Sequence, residues 1–201
     1  MISAYDANEP EIDPDAWVAD DATVCGNVTI GRGCRVLPGA RIVAEAGGTI
    51  RIGACCIVLE NAVIRSTARH ATSIGDHCLF GPNSHVVGAS VGDEVFIATG
   101  ASVFHGARIG SGSEVRINAV VHLRTELEPG STVPIGWIAV GNPAQILSPD
   151  RHEEIWALQQ PLDFPGFVYG ADRGDPNLMR TIMQTLSKSL DIHRRTVAGN
   201  L

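Results

Sequence analysis

The chain has 201 residues, 44% of them hydrophobic, which suits one domain with a proper core and excludes gross disorder. Twenty-two glycines against 3 Trp, 2 Tyr and 5 Phe exclude a core built on large rings and favour a sheet-rich fold with many tight corners. With 15 Lys and Arg against 22 Asp and Glu the formal net charge is −7, and no basic run offers a phosphate-binding track, so nucleic acid is excluded as a partner.

From the N-terminus, MISAYDANEPEIDPD is acidic and lacks an apolar h-region, and no stretch of about eighteen apolar residues follows it. A cytoplasmic protein with no membrane partner is expected, with residues 1–15 as an N-terminal extension. The 5 cysteines, an odd number with no C-x-x-C among them, indicate neither a disulfide framework nor a zinc ribbon.

Aliphatic residues then recur every six positions, at Val18, Val24, Ile30, Val36 and Ile42. After a step of ten the series resumes at Ile52, Val58 and Ile64, steps ten again to Ile74, Phe80 and Val86, and then five to Val91. It continues by six through Ile97, Val103, Ile109 and Val115 to Val121. Two positions before each marker stands a small or β-branched residue, as at Ala22, Val28, Cys34, Ala40 and Ile50. Period two inside period six describes a short strand whose positions i−2 and i face inward, followed by a turn. Counted in threes, Ile30-Gly31, Ile52-Gly53, Ile74-Gly75, Val91-Gly92 and Ile109-Gly110 share one face, so a coil is three hexads. Every departure from six falls at one corner, which carries the loops Val43 to Arg51 and Arg65 to Ser73. Loops gathered on one edge of a solenoid mark its binding side. The prediction is an all-β solenoid, a parallel β-helix over residues 16–147.

Residues 148–201 form a C-terminal helical tail. Asp150-Arg151-His152-Glu153 fits a capping box opening a short helix through Ile155 and Leu158 before Pro161. A second helix is expected with Asp175 as N-cap, Pro176 in its first turn, Leu178, Ile182, Leu186 and Leu190 on one face, and Lys188, Arg194 and Arg195 toward its negative end. The intervening PLDFPGFVYGADRG is expected as an ordered loop, because Phe164, Phe167 and Tyr169 need somewhere to bury.

Hexads of the form aliphatic-Gly-x-x-x-x resemble the hexapeptide-repeat family, which implies a left-handed coil where the general rule for parallel crossovers gives a right-handed one. Within that family, AWVADDATVCGNVTIGRGCRVLPGARIVAEAGGTIRIGACCIVLENAVIR is similar to the opening of the γ-class carbonic anhydrases, and VGNPAQIL to the last coil of that and sister groups. The resemblance covers about residues 12–147 and implies a homotrimer with a zinc site between subunits. That site uses three histidines, one ending an N-x-x-x-His segment and two in a His-x-x-x-x-His. Here the first falls on Arg65 in NAVIR and the pair on Pro82 and Val87 in FGPNSHVVG, and none of the three ligates zinc. The family's arginine after the second coil falls on Val43, its Gln-Asp pair on Leu59 and Glu60, and the aspartate of its Arg-x-Asp on Glu45.

The scaffold is thus matched while the reaction centre is not, and no metal or cofactor is expected. Arg65 supplies a permanent cation that pairs with Glu45 or Glu60 from its own or the adjacent subunit. The functional reading is an inter-subunit pocket for a small carboxylate or bicarbonate. Arg65, Glu60, Glu45 and His105 bind the anion, with His70 and His85 as acid or base, for a metal-independent lyase or hydratase-like activity; the structural reading is an ion pair that glues subunits. His85, His105 and His122 lie on successive coils that rise about 4.8 Å each, too spread to close one tetrahedral shell within a subunit. Solvated histidines are the expectation, and a displaced metal site joining His70, His85 and His105 across subunits is the alternative. Cys34, Cys56 and Cys78 occupy one inward slot in three coils and are taken as small buried hydrophobes, with Cys25 and Cys55 pointing outward. Two rival functions stand beside the anion pocket. One is a CoA-dependent acyltransferase taking acyl-CoA, with His70 or His85 deprotonating the acceptor; the other is a non-catalytic trimeric scaffold.

Overall fold

A computed structural model describes residues 1–5 and 7–190. The hexads fold as short strands, two to four residues each, joined by turns into three parallel sheets, one of nine strands and two of seven, that wind as a left-handed β-helix. Parallel pairing places equivalent residues of successive coils directly over one another. Val24 stacks on Ile42, Ile42 on Ile64 and Ile64 on Val86 in the nine-stranded sheet, with Thr23, Arg41, Val63 and His85 one step out of phase on the outer face. The other sheets align Ile30, Ile52, Ile74, Val91 and Ile109, and Val36, Val58, Phe80, Ile97 and Val115.

Every marker from Val24 to Val121 and every small residue two positions before one is buried, while Val18 is half-buried. The period runs further than Val121, because Leu127, Val133 and Ala139 continue it in the core. At the other end Ile2–Ser3 and Glu11–Ile12 already add strands to two sheets, so these two segments ahead of residue 16 pair with the coil.

The glycine after each third-face marker has a mechanical cause. A Cβ on Gly31 would lie 2.6 Å from the carbonyl oxygen of Gly53 on the next coil, so the coils close up only where that side chain is missing. Another corner takes a left-handed residue in six successive coils, at Gly39, Asn61, Asn83, Gly100, Asn118 and Gly136, the types that tolerate it.

The last strand, Gln145–Leu147, turns back antiparallel on Ile138–Val140. Val140, Leu147 and Ile155 form a small second core there, closed by helix α1, His152–Gln159. The capping box is not formed. Arg151 takes the N-cap, which moves the third helical position to Glu154, and Arg151 pairs with Glu154. Helix α2, Leu178–Ser189, begins later than expected, with Asn177 as N-cap. Asp175 instead accepts hydrogen bonds from the Asn177 N–H (2.7 Å) and the Thr181 hydroxyl (2.7 Å), a turn that precedes the helix. Ile182 is buried and Leu178 and Leu186 half-buried, but Leu190 is exposed. Arg194 and Arg195 lie outside the described residues. The aromatic loop is ordered as a 3-10 turn, Gln160–Leu162, and a π-helical turn, Pro165–Tyr169. No helix among the described residues is long and apolar enough to cross a membrane.

Candidate functional site

The corner that carries the loops follows strands Arg41–Ala44 and Val63–Ser66, which pair over their whole length, Val43 on Arg65 and Ala44 on Ser66. Arg65 faces outward between Val43 on one side and Val87 on the other. Its guanidinium makes an ion pair with Glu45, from the start of the lower loop, and the two side chains are 43% and 26% exposed. A pair this wet contributes at most about 1 kcal/mol to stability and leaves donor N–H groups free. Glu60 is not brought to it. The hexad phase puts Glu60 on the turn before the strand, where its carbonyl accepts the Asn83 N–H (3.0 Å) and its exposed carboxylate makes no ion pair with any described residue.

His85 projects from the same sheet as Arg65, half-buried, and burial together with the Arg65 cation pushes its pKa below the ordinary 6.5. Its ring lies 6.2 Å from Phe104, whose ring lies 6.3 Å from His122, so the three form an aromatic row up the outer face. Burial lowers the pKa of His122 as well, and its Nδ1 is buried without a hydrogen-bond partner.

His70 is fixed by a tight loop in which Thr67 and His70 exchange backbone hydrogen bonds (3.0 and 3.1 Å). Its ring meets the ring of His105 at 5.2 Å, edge to face. Histidines from different coils reach one another because the intervening coil takes the five-residue step, with Gly88 in place of a loop. A Cβ on Gly88 would lie 2.5 Å from the His70 Cβ and 3.2 Å from the His105 ring. The expectation of solvated histidines fails at His105, which is 8% exposed with its Nδ1 unpartnered. Burial first, then the nearby His70, His85 and Arg65, bring its pKa down to about 4.

Zinc does not fit these residues. The positions assigned to its ligands by the resemblance hold a guanidinium, a pyrrolidine ring and an isopropyl group at Arg65, Pro82 and Val87, none of which donates a lone pair. Among the described residues, no group of three or more His, Cys, Asp or Glu side chains converges on a point that could hold a metal ion. Cys34, Cys56 and Cys78 are buried small side chains whose thiols donate to the Gly53, Gly75 and Gly92 carbonyls at 3.0, 3.1 and 3.1 Å. Cys25 is half-buried and Cys55 exposed.

Two residues of this corner escape sequence reasoning. Phe167, from the C-terminal π-helical turn, lies on the His70 ring (4.6 Å between centres), and Arg124 places its guanidinium carbon 5.2 Å from the Phe167 ring centre. The only signals in the sequence are the missing residue between Val86 and Val91 and the three aromatics of the loop, and neither says where the loop docks.

The model of the hexapeptide repeat of succinyl-transferase matches residues 71–105. Over 165 residues, 80% of the chain, it is 31% identical to γ carbonic anhydrase 1, mitochondrial, and 25% identical to γ carbonic anhydrase 2, mitochondrial, both of Arabidopsis thaliana. The chain spans 58% and 57% of the length of these relatives. Among solved structures, a hexapeptide transferase family protein from Anaplasma phagocytophilum shares the fold at 23% identity and a TM-score of 0.53, over 80% of this chain and 91% of that one. Repeat, coil and sequence likeness therefore agree, and all three fit a γ-carbonic-anhydrase-like hexapeptide-repeat protein.

Proposed function

We propose that this corner binds a small carboxylate or bicarbonate through Arg65, in an assembly that does not carry out zinc-dependent CO2 hydration. The observation that carries the reading is a half-exposed guanidinium with one carboxylate partner, Glu45, set between Val43 and Val87 where the family's chemistry calls for an imidazole. A guanidinium has five N–H donors in a planar fork, so Glu45 leaves it able to take a second carboxylate side-on. His85, neutral near pH 7 because burial and Arg65 both disfavour its charge, is placed to exchange a proton with the bound anion, and His70 is the second acid or base. His105 closes the floor, and Glu60 completes the set only from an adjacent subunit.

A homotrimer is part of the same proposal. The outward row on one seven-stranded sheet runs Trp17, Arg35, Ile57, Leu79 and Phe96, and its apolar members Trp17, Ile57 and Phe96 are 51%, 37% and 41% exposed, which supports lateral association of coils. A second reading, a CoA-dependent acyltransferase with His70 or His85 as base, is favoured by the succinyl-transferase description of the model that matches residues 71–105. Calorimetric titration with bicarbonate, acetate and acetyl-CoA, beside light scattering, separates these. Arg65→Ala is expected to abolish the heat of bicarbonate or acetate while leaving the assembly mass unchanged. No heat with any ligand, together with dissociation of Arg65→Ala, overturns the reading in favour of an ion pair that only joins subunits.

A further inference from the structure

The C-terminal tail comes back onto the histidine corner through a contact built at several points. Asp163 adopts a left-handed backbone (φ 46°) after the 3-10 turn, and the π-helical turn that follows presents Phe167 to the β-helix. The Phe167 carbonyl oxygen lies 3.2 Å from His70 Nε2. A carbonyl oxygen only accepts, so Nε2 carries a proton and donates it. Gly106 makes room for the ring, since a Cβ there would stand 2.9 Å from the Phe167 Cζ. Gly170 makes room for Arg69, whose Nη2 would stand 2.5 Å from an added Cβ.

Beneath this segment His105 sits buried with an unpartnered Nδ1. The charged and titratable groups that act on it are His70 from the loop and His85 and Arg65 from the nine-stranded sheet, while Arg124 from the next turn packs beside Gly106. None is a carboxylate, and Arg124 makes no ion pair with a described residue; its cation rests on the Phe167 ring. Uncovered, the corner would offer two guanidiniums and three imidazoles, a donor set for an anion.

We propose that residues 163–170 are a strap that covers the His70 and Arg124 side of this corner and stands in there for a ligand, so that an anion held at the half-exposed Arg65 gains these further donors by displacing Phe167. The inference rests on the anion reading above. The strap gives each group a weaker version of what a carboxylate gives: a neutral carbonyl for the His70 N–H, and a π face for Arg124.

The test uses the full chain with Phe167→Ala and, as a second variant outside the β-helix, Gly170→Ala, which drives a Cβ into Arg69 at a left-handed position (φ +67°). Titration of the His105 imidazole by 15N NMR is paired with calorimetry in bicarbonate and acetate, and with a circular-dichroism melt to show that the β-helix is intact. Loss of the ring is expected to raise the His105 midpoint from about 4 by roughly one pH unit or more toward 6.5, and to tighten anion binding on the order of tenfold. Gly170→Ala is expected to move both in the same direction. An unmoved midpoint in both variants overturns the strap, and a raised midpoint with unchanged affinity overturns its competition with the anion. Heat from neither anion with any of the three proteins, while the midpoint still moves, overturns the anion reading alone.

Discussion

His105 shows how much one side chain can cost when its neighbours share its sign. Its pKa is held at about 4 against 6.5 in an unfolded chain, by burial first and then by His70, His85 and Arg65. Above pH 6.5 the ring is neutral in both states and pH has no leverage. Between 6.5 and 4 the unfolded chain binds a proton that the native site refuses, so stability falls with pH, and the loss is complete once pH passes below the folded value. At about 1.4 kcal/mol per unit the loss reaches at most about 3.5 kcal/mol. His85 and His122, also lowered, add to it in the same sense. Urea unfolding at pH 7, 5.5 and 4 is expected to show a smaller acid loss in His105→Gln than in the native protein; parallel losses would contradict this account. The Arg65–Glu45 pair was legible from the sequence because both residues stand at one corner on stacked coils. The His70–His105 contact was not, because equal rise per coil ignores a coil that lacks its loop.

The strand is the element at which the sequence speaks most clearly, since each hexad repeats the same alternation and each coil checks the last. Ile97 lies in an unbroken run of the register and is fully buried, while Phe96 beside it points outward and is 41% exposed. Ile97→Asp buries a charge without a partner and is expected to abolish soluble folding, whereas Phe96→Asp is expected to keep the β-helix spectrum by circular dichroism. A soluble, folded Ile97→Asp protein would refute the register. Helices are less legible at their ends. Asp150 and Glu153 have the spacing of a capping box, yet the turn is decided by Arg151, whose non-helical backbone and pairing with Glu154 shift the start by one residue.

At the scale of the molecule, repetition no longer helps. Phe167 and His70 are 97 positions apart and share no period, so the place of the loop against the coil was not foreseeable, and its aromatics bury less than expected: Phe167 and Tyr169 are half-buried and Phe164 is exposed. Metal content belongs to this scale, because the zinc site that the resemblance implies would lie between subunits. With Arg65, Pro82 and Val87 at the ligand positions, the purified assembly is expected to hold no stoichiometric zinc by plasma emission. One zinc per subunit, lost on substituting His70, His85 or His105, would overturn this.

A stack of parallel coils has direction and no natural length, since each coil offers the next the edge it was itself built upon. The reversal at Gln145–Leu147 gives the nine-stranded sheet a final strand of opposite polarity. A second copy arriving there meets hydrogen-bonding groups spaced for an antiparallel neighbour, which its own first coil cannot match. The hairpin thus acts as a terminator for growth of the nine-stranded sheet along the axis.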